Sequence, residues 1–198
     1  MKAIIFTDLD ASLLHEETFS CREIIDTLNS ISSDGVLIVP NTSKTEVETR
    51  NFLKSLNFKM PFIVENGAKL CNIRSSFQFI SETDKEFGID HSELNTRLEK
   101  LGNLSFLSDF QPITKFKPEE ASQILGLTGL ELEEALERRY SSLFKYCGPK
   151  SKIPYWQEAT LKVGLNLSQG GRAFAVSGCH DKATPIKWLS EKLVSIDH

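Results

Sequence analysis

The sequence has no apolar run long enough to cross a membrane, no excess of basic residues and no closely spaced cysteine pair. A membrane-spanning helix needs about 20 consecutive apolar residues. Non-specific binding of nucleic acids depends on many Lys and Arg contacts to phosphate groups, whereas the formal net charge here is −4. We therefore expect neither a membrane protein nor a general nucleic-acid binder, and an anionic ligand would need a local positive site.

The cysteines also argue against two kinds of site. Cys21, Cys71, Cys147 and Cys179 lie far apart and form no CxxC pair, which disfavours a zinc site and a disulfide framework. The N-terminal stretch runs from one basic residue straight into acidic residues, unlike a secretory signal. Isolated thiols and no signal predict a protein of the reducing cytoplasm.

The chain has 198 residues, of which 40% are hydrophobic, enough to bury the core of one large or two small domains. Apolar runs at 2–7, 35–40 and 61–64 alternate with amphipathic stretches at 20–33 and 44–56. Alternating strands and helices with short links are typical of a doubly wound α/β fold around a parallel sheet.

After about residue 83 the pattern changes to a series of helical stretches separated by short apolar or aromatic runs. The helical stretches are 91–101, 118–125, 130–139 and 155–163, and the runs are 104–110 and 143–146. We predict a core formed by 1–82, an inserted α/β domain at 83–170 and a return to the core at 171–198. The returning part would hold a strand at 172–177 and a helix at 185–193.

Two carboxylates, Asp8 and Asp10, follow the first predicted strand. In open parallel sheets, ligands bind beyond the carboxyl ends of the strands. Two like charges so close favour a neutralising cation, and Mg²⁺ prefers oxygen ligands. Asp8 could attack phosphorus, while Asp10 could protonate a leaving alkoxide and later activate water. The structural alternative is a plain acidic turn.

Hydroxyl groups and a lysine follow the second predicted strand, as Thr42, Ser43 and Lys44. The first amide groups of the next helix would be donors for a phosphate group. The structural alternative is a capping box formed by Ser43 and Glu46, and both can hold together. Lys182, after the strand at 172–177, could neutralise phosphoryl charge, although an isolated loop lysine is ordinarily solvated.

Three segments carry these residues: Asp8 and Asp10 in the first, Thr42 to Lys44 in the second and Lys182 in the third. Their residues and their order along the chain resemble the motifs of the haloacid dehalogenase (HAD) phosphatases. The resemblance implies that Asp8 is nucleophile and Mg²⁺ ligand, and that Asp10 is the acid/base with its backbone carbonyl on the metal. Thr42, Ser43 and Lys182 would bind the phosphoryl group. The branch implied has an α/β cap domain between the second and third motifs.

Further segments are similar to the mannosyl-3-phosphoglycerate phosphatase family. They include Val64-Glu65-Asn66-Gly67-Ala68, the arginine pair at 138–139 and Gly170-Gly171-Arg172. This resemblance implies hydrolysis of mannosyl-3-phosphoglycerate or a related sugar or acid phosphate. It also suggests cap residues that would bind the rest of the substrate: Arg138, Tyr140, Ser141, Arg172 and His180.

The HAD phosphatases carry a fourth, acidic motif on a strand that follows the helix containing Trp188, and no such motif follows it here. Asp181 and Asp197 are the only acidic residues nearby, and nothing in the pattern makes either a ligand. Without that strand a central strand would have an exposed apolar edge, which invites self-association. Two alternatives therefore stay open: a weak or inactive relative that only binds phosphorylated ligands, and a phosphomutase.

Overall fold

The computed structural model describes residues 2–10, 12–13 and 24–195, so Cys21 and Asp197 lie outside the described residues. The chain divides into two compact units. The core unit comprises the described residues up to Phe87 together with those from Asp181 onward, and the inserted unit is Gly88–His180. No helix within the described ranges is both long and apolar enough to cross a membrane.

Parallel strands form the first part of the core unit, as predicted. Strands β1 (Ala3–Thr7) and β2 (Val36–Pro40) pair in parallel, and Asn41, directly after β2, bridges in parallel to Ile63 of the next strand. The other elements are α1 (Ile25–Ser33), α2 (Glu46–Ser55), β3 (Phe62–Val64), β4 (Lys69–Cys71), β5 (Lys85–Glu86) and, after the inserted unit, α8 (Ala183–Val194).

The core unit is held together by apolar side chains from these strands and from α8. Val39, Ile63 and Leu70 are fully buried and belong to one cluster with Leu189 of α8. Strands β3, β4 and β5 form an antiparallel meander beside the parallel pair. The carboxyl ends of β1 and β2 therefore lie side by side, where parallel sheets place their ligand sites.

One edge of β1 has no described strand beside it. β1 pairs with β2 only, among the parts of the chain that the structure describes. Ile5 in the middle of β1 is 44% exposed, which is unusual for an apolar residue of a parallel strand. Self-association through this edge stays a prediction.

The inserted unit is a four-stranded antiparallel sheet with helices. Its strands lie in the order β6-β7-β9-β8. Phe110, Phe144 and Phe174 from three of the strands pack with Trp156 in one buried cluster. The elements are α3 (His91–Glu99), α4 (Asn103–Asp109), β6 (Phe110–Pro112), α5 (Pro118–Leu125), α6 (Gly129–Leu136), β7 (Ser141–Tyr146), α7 (Ile153–Lys162), β8 (Leu165–Gln169) and β9 (Phe174–Gly178).

The predicted domain boundaries at 83 and 170 need correction. β9, assigned above to the core, pairs antiparallel with β7 and β8, so the units divide after Phe87 and after His180. The physical reason is a hairpin: Gly170 and Gly171 lie between β8 and β9, and the Gly170 amide donates to the Ala173 carbonyl at 2.9 Å. The apolar run at 104–110 is largely helix α4.

A lysine with a side chain only 8% exposed ties the start of α2 to the antiparallel strands. Lys69 Nζ lies 2.8 Å from Glu46 Oε2 and 3.2 Å from Asp84 Oδ2. Burial acts to raise the pKa of Glu46, but the hydrogen bonds from Lys69 and Arg50 outweigh it, so this pKa lies below its usual value. Burial also raises the pKa of the neighbouring Cys71 thiol, which makes that thiol unreactive.

Glu46→Gln tests this cluster. A lowered carboxyl pKa stabilises the fold above the pKa of the unfolded chain, and that stability is lost as pH falls through the folded value. We expect the variant to lose about 1–2 kcal/mol of unfolding free energy at pH 7 and to approach the parent protein in acid. Urea unfolding at a series of pH values measures this. Glu158→Gln, at an exposed i,i+4 pair, is the control, and a pH-independent loss in Glu46→Gln would contradict the interpretation.

Candidate active site

The first predicted site residues meet across a long stretch of sequence. Asp8 directly follows β1, and its Oδ1 accepts a hydrogen bond from the Leu9 amide at 2.8 Å. Its Oδ2 forms an ion pair with the ammonium group of Lys182, at the start of α8. Both side chains are partly exposed, so a ligand from solvent can contact the pair.

A second lysine accompanies the second carboxylate. Lys44 Nζ lies 3.2 Å from Asp10 Oδ1 and 3.8 Å from a Glu48 oxygen. Asp10 Oδ1 is buried and, apart from this ionic contact with Lys44, accepts no hydrogen bond from the described residues. Each aspartate of the pair therefore faces one ammonium group, which offsets the repulsion between the two carboxylates.

The loop after β2 holds the predicted phosphate-binding hydroxyls. Thr42 is fully buried, and its Oγ1 accepts a hydrogen bond from the Lys44 amide at 3.2 Å. Ser43 is exposed. The predicted capping box is displaced by two residues: Thr45 caps α2, its Oγ1 accepts from the Glu48 amide, and Glu48 accepts from the Thr45 amide. Ser43 therefore does not cap the helix.

Asp181 caps α8. Its Oδ1 accepts hydrogen bonds from the amides of Ala183 and Thr184 at 3.0 and 2.8 Å. The Thr184 hydroxyl also donates to Asp181, and these bonds lower the pKa of that carboxyl. The carboxylate is thus engaged by the helix start.

The donor set at the end of β1 fits a hard divalent cation. No group of three or more His, Cys, Asp or Glu side chains is placed to hold a metal in the described part of the chain. Mg²⁺, however, is commonly held by one or two carboxylates, with waters and substrate phosphate completing its shell. Asp8 and Asp10 supply two carboxylates two residues apart, and the buried Oδ1 of Asp10 has no described contact other than the Lys44 ammonium group. The pair therefore matches that requirement.

The inserted unit contains a cavity of about 590 Å³. Arg138 and Ser141, two of the predicted substrate residues, line it, and Arg138 Nη1 donates to Ser141 Oγ at 3.0 Å. His91 also lines it, with Nε2 2.9 Å from the Ser141 carbonyl oxygen. Lys115 adds a further cation to the wall, which also contains the carboxylate of Glu99 and several apolar side chains.

The other predicted substrate residues lie elsewhere. Tyr140 is buried, and His180 is half-buried beyond the end of β9. Arg172 donates to the carbonyls of Leu125 and Gly126, the end of α5. A cation at the C-terminus of a helix stabilises it, so the structure gives Arg172 a capping contact.

Comparison with known proteins supports the resemblance to the haloacid dehalogenase phosphatases. The family profile of the haloacid dehalogenase-like hydrolases matches residues 5–87. A glucosyl-3-phosphoglycerate/mannosyl-3-phosphoglycerate phosphatase of Persephonella marina is 31% identical over 182 residues, covering 88% of this chain and 66% of that protein. A mannosyl-3-phosphoglycerate phosphatase of Pyrococcus horikoshii is 29% identical, covering 96% of this chain and 77% of that protein.

The chain belongs to the haloacid dehalogenase-like hydrolases. It spans just under two thirds of the length of the P. marina relative. The fold agrees: the solved structure of a haloacid dehalogenase-like hydrolase from B. subtilis superposes with a TM-score of 0.62 at 17% identity, covering 98% of this chain and 79% of that one. The profile match includes Asp8, Asp10 and the loop from Asn41 to Lys44, whereas Lys182 lies outside it.

Some residues of the site in this haloacid dehalogenase-like chain had no role predicted from the sequence. Lys44 was predicted only to contribute positive charge after the second strand, yet it is the ionic partner of Asp10. His91 and Lys115 of the inserted unit's cavity were not singled out, because no motif surrounds them. The side-chain amide of Asn41 donates to the Lys182 carbonyl at 2.9 Å. The position of Asn41 directly after a strand is the sequence feature that could have indicated a role in the site.

Arg172→Ala separates a capping role from a substrate role. We expect the variant to lose about 1 kcal/mol of unfolding free energy, because two hydrogen bonds to the end of α5 are removed, and to keep its KM for a phosphorylated substrate. Thermal unfolding and steady-state kinetics measure the two quantities. A raised KM with unchanged stability would instead favour the substrate contact predicted from the sequence.

Proposed function

We propose that this protein is a Mg²⁺-dependent phosphatase that hydrolyses mannosyl-3-phosphoglycerate, or a related sugar or acid phosphate, through an aspartyl-phosphate. The observation that supports it best is the ion pair between Lys182 and Asp8, with Asp10 two residues further and beside Lys44. A nucleophilic carboxylate, an acid/base and fixed positive charge are the groups that this chemistry requires.

In the first step an Asp8 carboxylate oxygen attacks phosphorus, and the bond from phosphorus to the leaving oxygen breaks. Asp10 gives its proton to the departing alkoxide. Lys182, already beside Asp8, offsets the negative charge of the phosphoryl oxygens. In the second step Asp10 takes a proton from water, whose oxygen attacks phosphorus, and the bond to Asp8 breaks to release inorganic phosphate.

Asp8 and Asp10 would hold Mg²⁺, which when bound supplies a Lewis acid for the phosphoryl oxygens. Thr42 and Ser43 are proposed to act from the loop after β2. The burial of Thr42 and its bond from the Lys44 amide support a residue that shapes this loop. Donation of its hydroxyl proton to phosphate is proposed from the motif resemblance.

The substrate class rests on the names of the relatives and on the inserted unit. Both relatives described above are named as phosphatases of a glycosylated phosphoglycerate. Such a substrate carries a carboxylate, and an arginine guanidinium matches carboxylate geometry. Arg138, with Ser141, His91 and Lys115 around the same cavity, is proposed to bind the part of the substrate that is not transferred. Tyr140, Arg172 and His180 have weaker support.

Asp8→Asn tests the chemistry. Phosphate release from mannosyl-3-phosphoglycerate and a panel of sugar phosphates should require Mg²⁺, stop with a chelator, and fall roughly 10³-fold or more in the variant, since the nucleophile is lost. Asp34→Asn, at an exposed aspartate of the core unit, should be unaffected.

Other outcomes of that experiment have defined meanings. Asp8-dependent transfer of phosphate to a second sugar position, without release, would indicate a phosphomutase. Absence of Asp8-dependent turnover on every substrate would overturn the proposal and favour a protein that only binds phosphorylated ligands.

Arg138→Ala tests the substrate class. We expect KM for mannosyl-3-phosphoglycerate to rise roughly tenfold or more, because a charged hydrogen bond to the substrate is lost. KM for a small aryl phosphate without a carboxylate should change little. Arg139→Ala, at the neighbouring arginine outside the cavity wall, is the matched control. Equal effects on both substrates would contradict a carboxylate contact.

A further inference from the structure

Gly67 lies against the loop that carries Lys182. A Cβ atom at position 67 would stand 1.9 Å from the Asp181 carbonyl oxygen and 3.0 Å from the Lys182 amide nitrogen. Those neighbours are backbone atoms, which cannot rotate away as a flexible side chain could. Gly67 also has φ +97°, a conformation that glycine adopts without strain. Any other residue here would displace the loop between the inserted unit and α8.

Asn41 holds the same loop by a direct bond. Its side chain is nearly fully buried, and its Nδ2 donates to the Lys182 carbonyl oxygen at 2.9 Å. Its own backbone amide donates to the Thr7 carbonyl at 2.7 Å, one residue before Asp8. Asn41 therefore connects the backbone beside Asp8 to the backbone of Lys182.

We propose that Gly67 and Asn41 are positioning residues, which seat the backbone of Lys182 so that its ammonium group meets Asp8. The inference rests on the proposed function, because Lys182 is there the group that offsets phosphoryl charge. The cap that Asp181 gives α8 fixes where the helix begins. Gly67 and Asn41 fix how closely that beginning approaches the end of β1.

Gly67→Ala is the first test, with Gly129→Ala as its matched control. Gly129 also has positive φ, +52°, but nothing lies within 4 Å of a Cβ there, so the control carries the backbone strain without the collision. We expect kcat/KM to fall about 10²-fold in Gly67→Ala, as for a displacement of about 1 Å at a reacting group, and to stay near the parent value in Gly129→Ala.

A double-mutant cycle with Lys182→Met separates positioning from general structural damage. If Gly67 acts through Lys182, Gly67→Ala should cost nothing further in the Lys182→Met background, because residues that act as a unit are non-additive. Losses that add in full would overturn the proposal, as would an undisturbed kcat/KM in Gly67→Ala.

Substitutions of Asn41 are a milder test of the same proposal, and they remain informative if Gly67→Ala does not fold. Asn41→Asp keeps the shape but places an acceptor against the Lys182 carbonyl, and Asn41→Ala removes the donor. We expect losses of about tenfold for Asn41→Ala and larger ones for Asn41→Asp, both absent in the Lys182→Met background. Equal losses with and without Lys182 would contradict the proposal.

A readout without turnover keeps this inference separate from the proposed function. Acetylation of Lys182 by acetic anhydride, followed by mass spectrometry and normalised to the exposed Lys187 of the same helix, reports the ion pair with Asp8. Gly67→Ala should lose the protection seen in the parent protein. If Gly67→Ala loses this protection but the parent protein shows no phosphatase activity, the proposed function is contradicted and the positioning role is not. If the protection is unchanged in Gly67→Ala, the positioning role is contradicted.

Discussion

The ion pair between Lys182 and Asp8 joins positions 174 residues apart, and the rest of the site depends on it. It can form only if β1 and the start of α8 are held together by the intervening fold. Its partly exposed position distinguishes it from the buried Lys69 cluster. A buried pair contributes rigidity, whereas a partly solvated pair leaves room for a phosphate group to enter between ammonium and carboxylate.

Much of the core unit could be predicted from the sequence because its signals are local. Short apolar runs followed by polar residues located β1, β2 and β3, and parallel strands bring their carboxyl ends to one edge. That rule indicated a ligand site at Asp8, whereas Lys182 was included through the resemblance of the three motifs to a known family. The structure brings the two side chains together, although the strand before Lys182 belongs to the antiparallel sheet of the inserted unit.

The rest depended on tertiary contacts or on ambiguous local patterns. An apolar run does not say which sheet it joins, so β9 was assigned to the wrong unit although Gly170 and Gly171 indicated a hairpin. The predicted cap, Ser43, lies two residues before the observed one, and only the backbone geometry of α2 selects Thr45. The importance of Gly67 is invisible in sequence, because what it must avoid is a backbone more than 100 residues away.

The chain leaves the core unit at Phe87 and returns to it at Asp181, and these two residues contact adjacent residues of the core unit. The Phe87 amide, where the chain leaves the core unit, donates to the Ala68 carbonyl at 2.7 Å, and Asp181, where it returns, rests on Gly67. A segment whose ends are fixed side by side can be exchanged for another of different length without shifting the scaffold around it. Evolution could therefore replace the inserted unit while the aspartates and the lysine stay where they are.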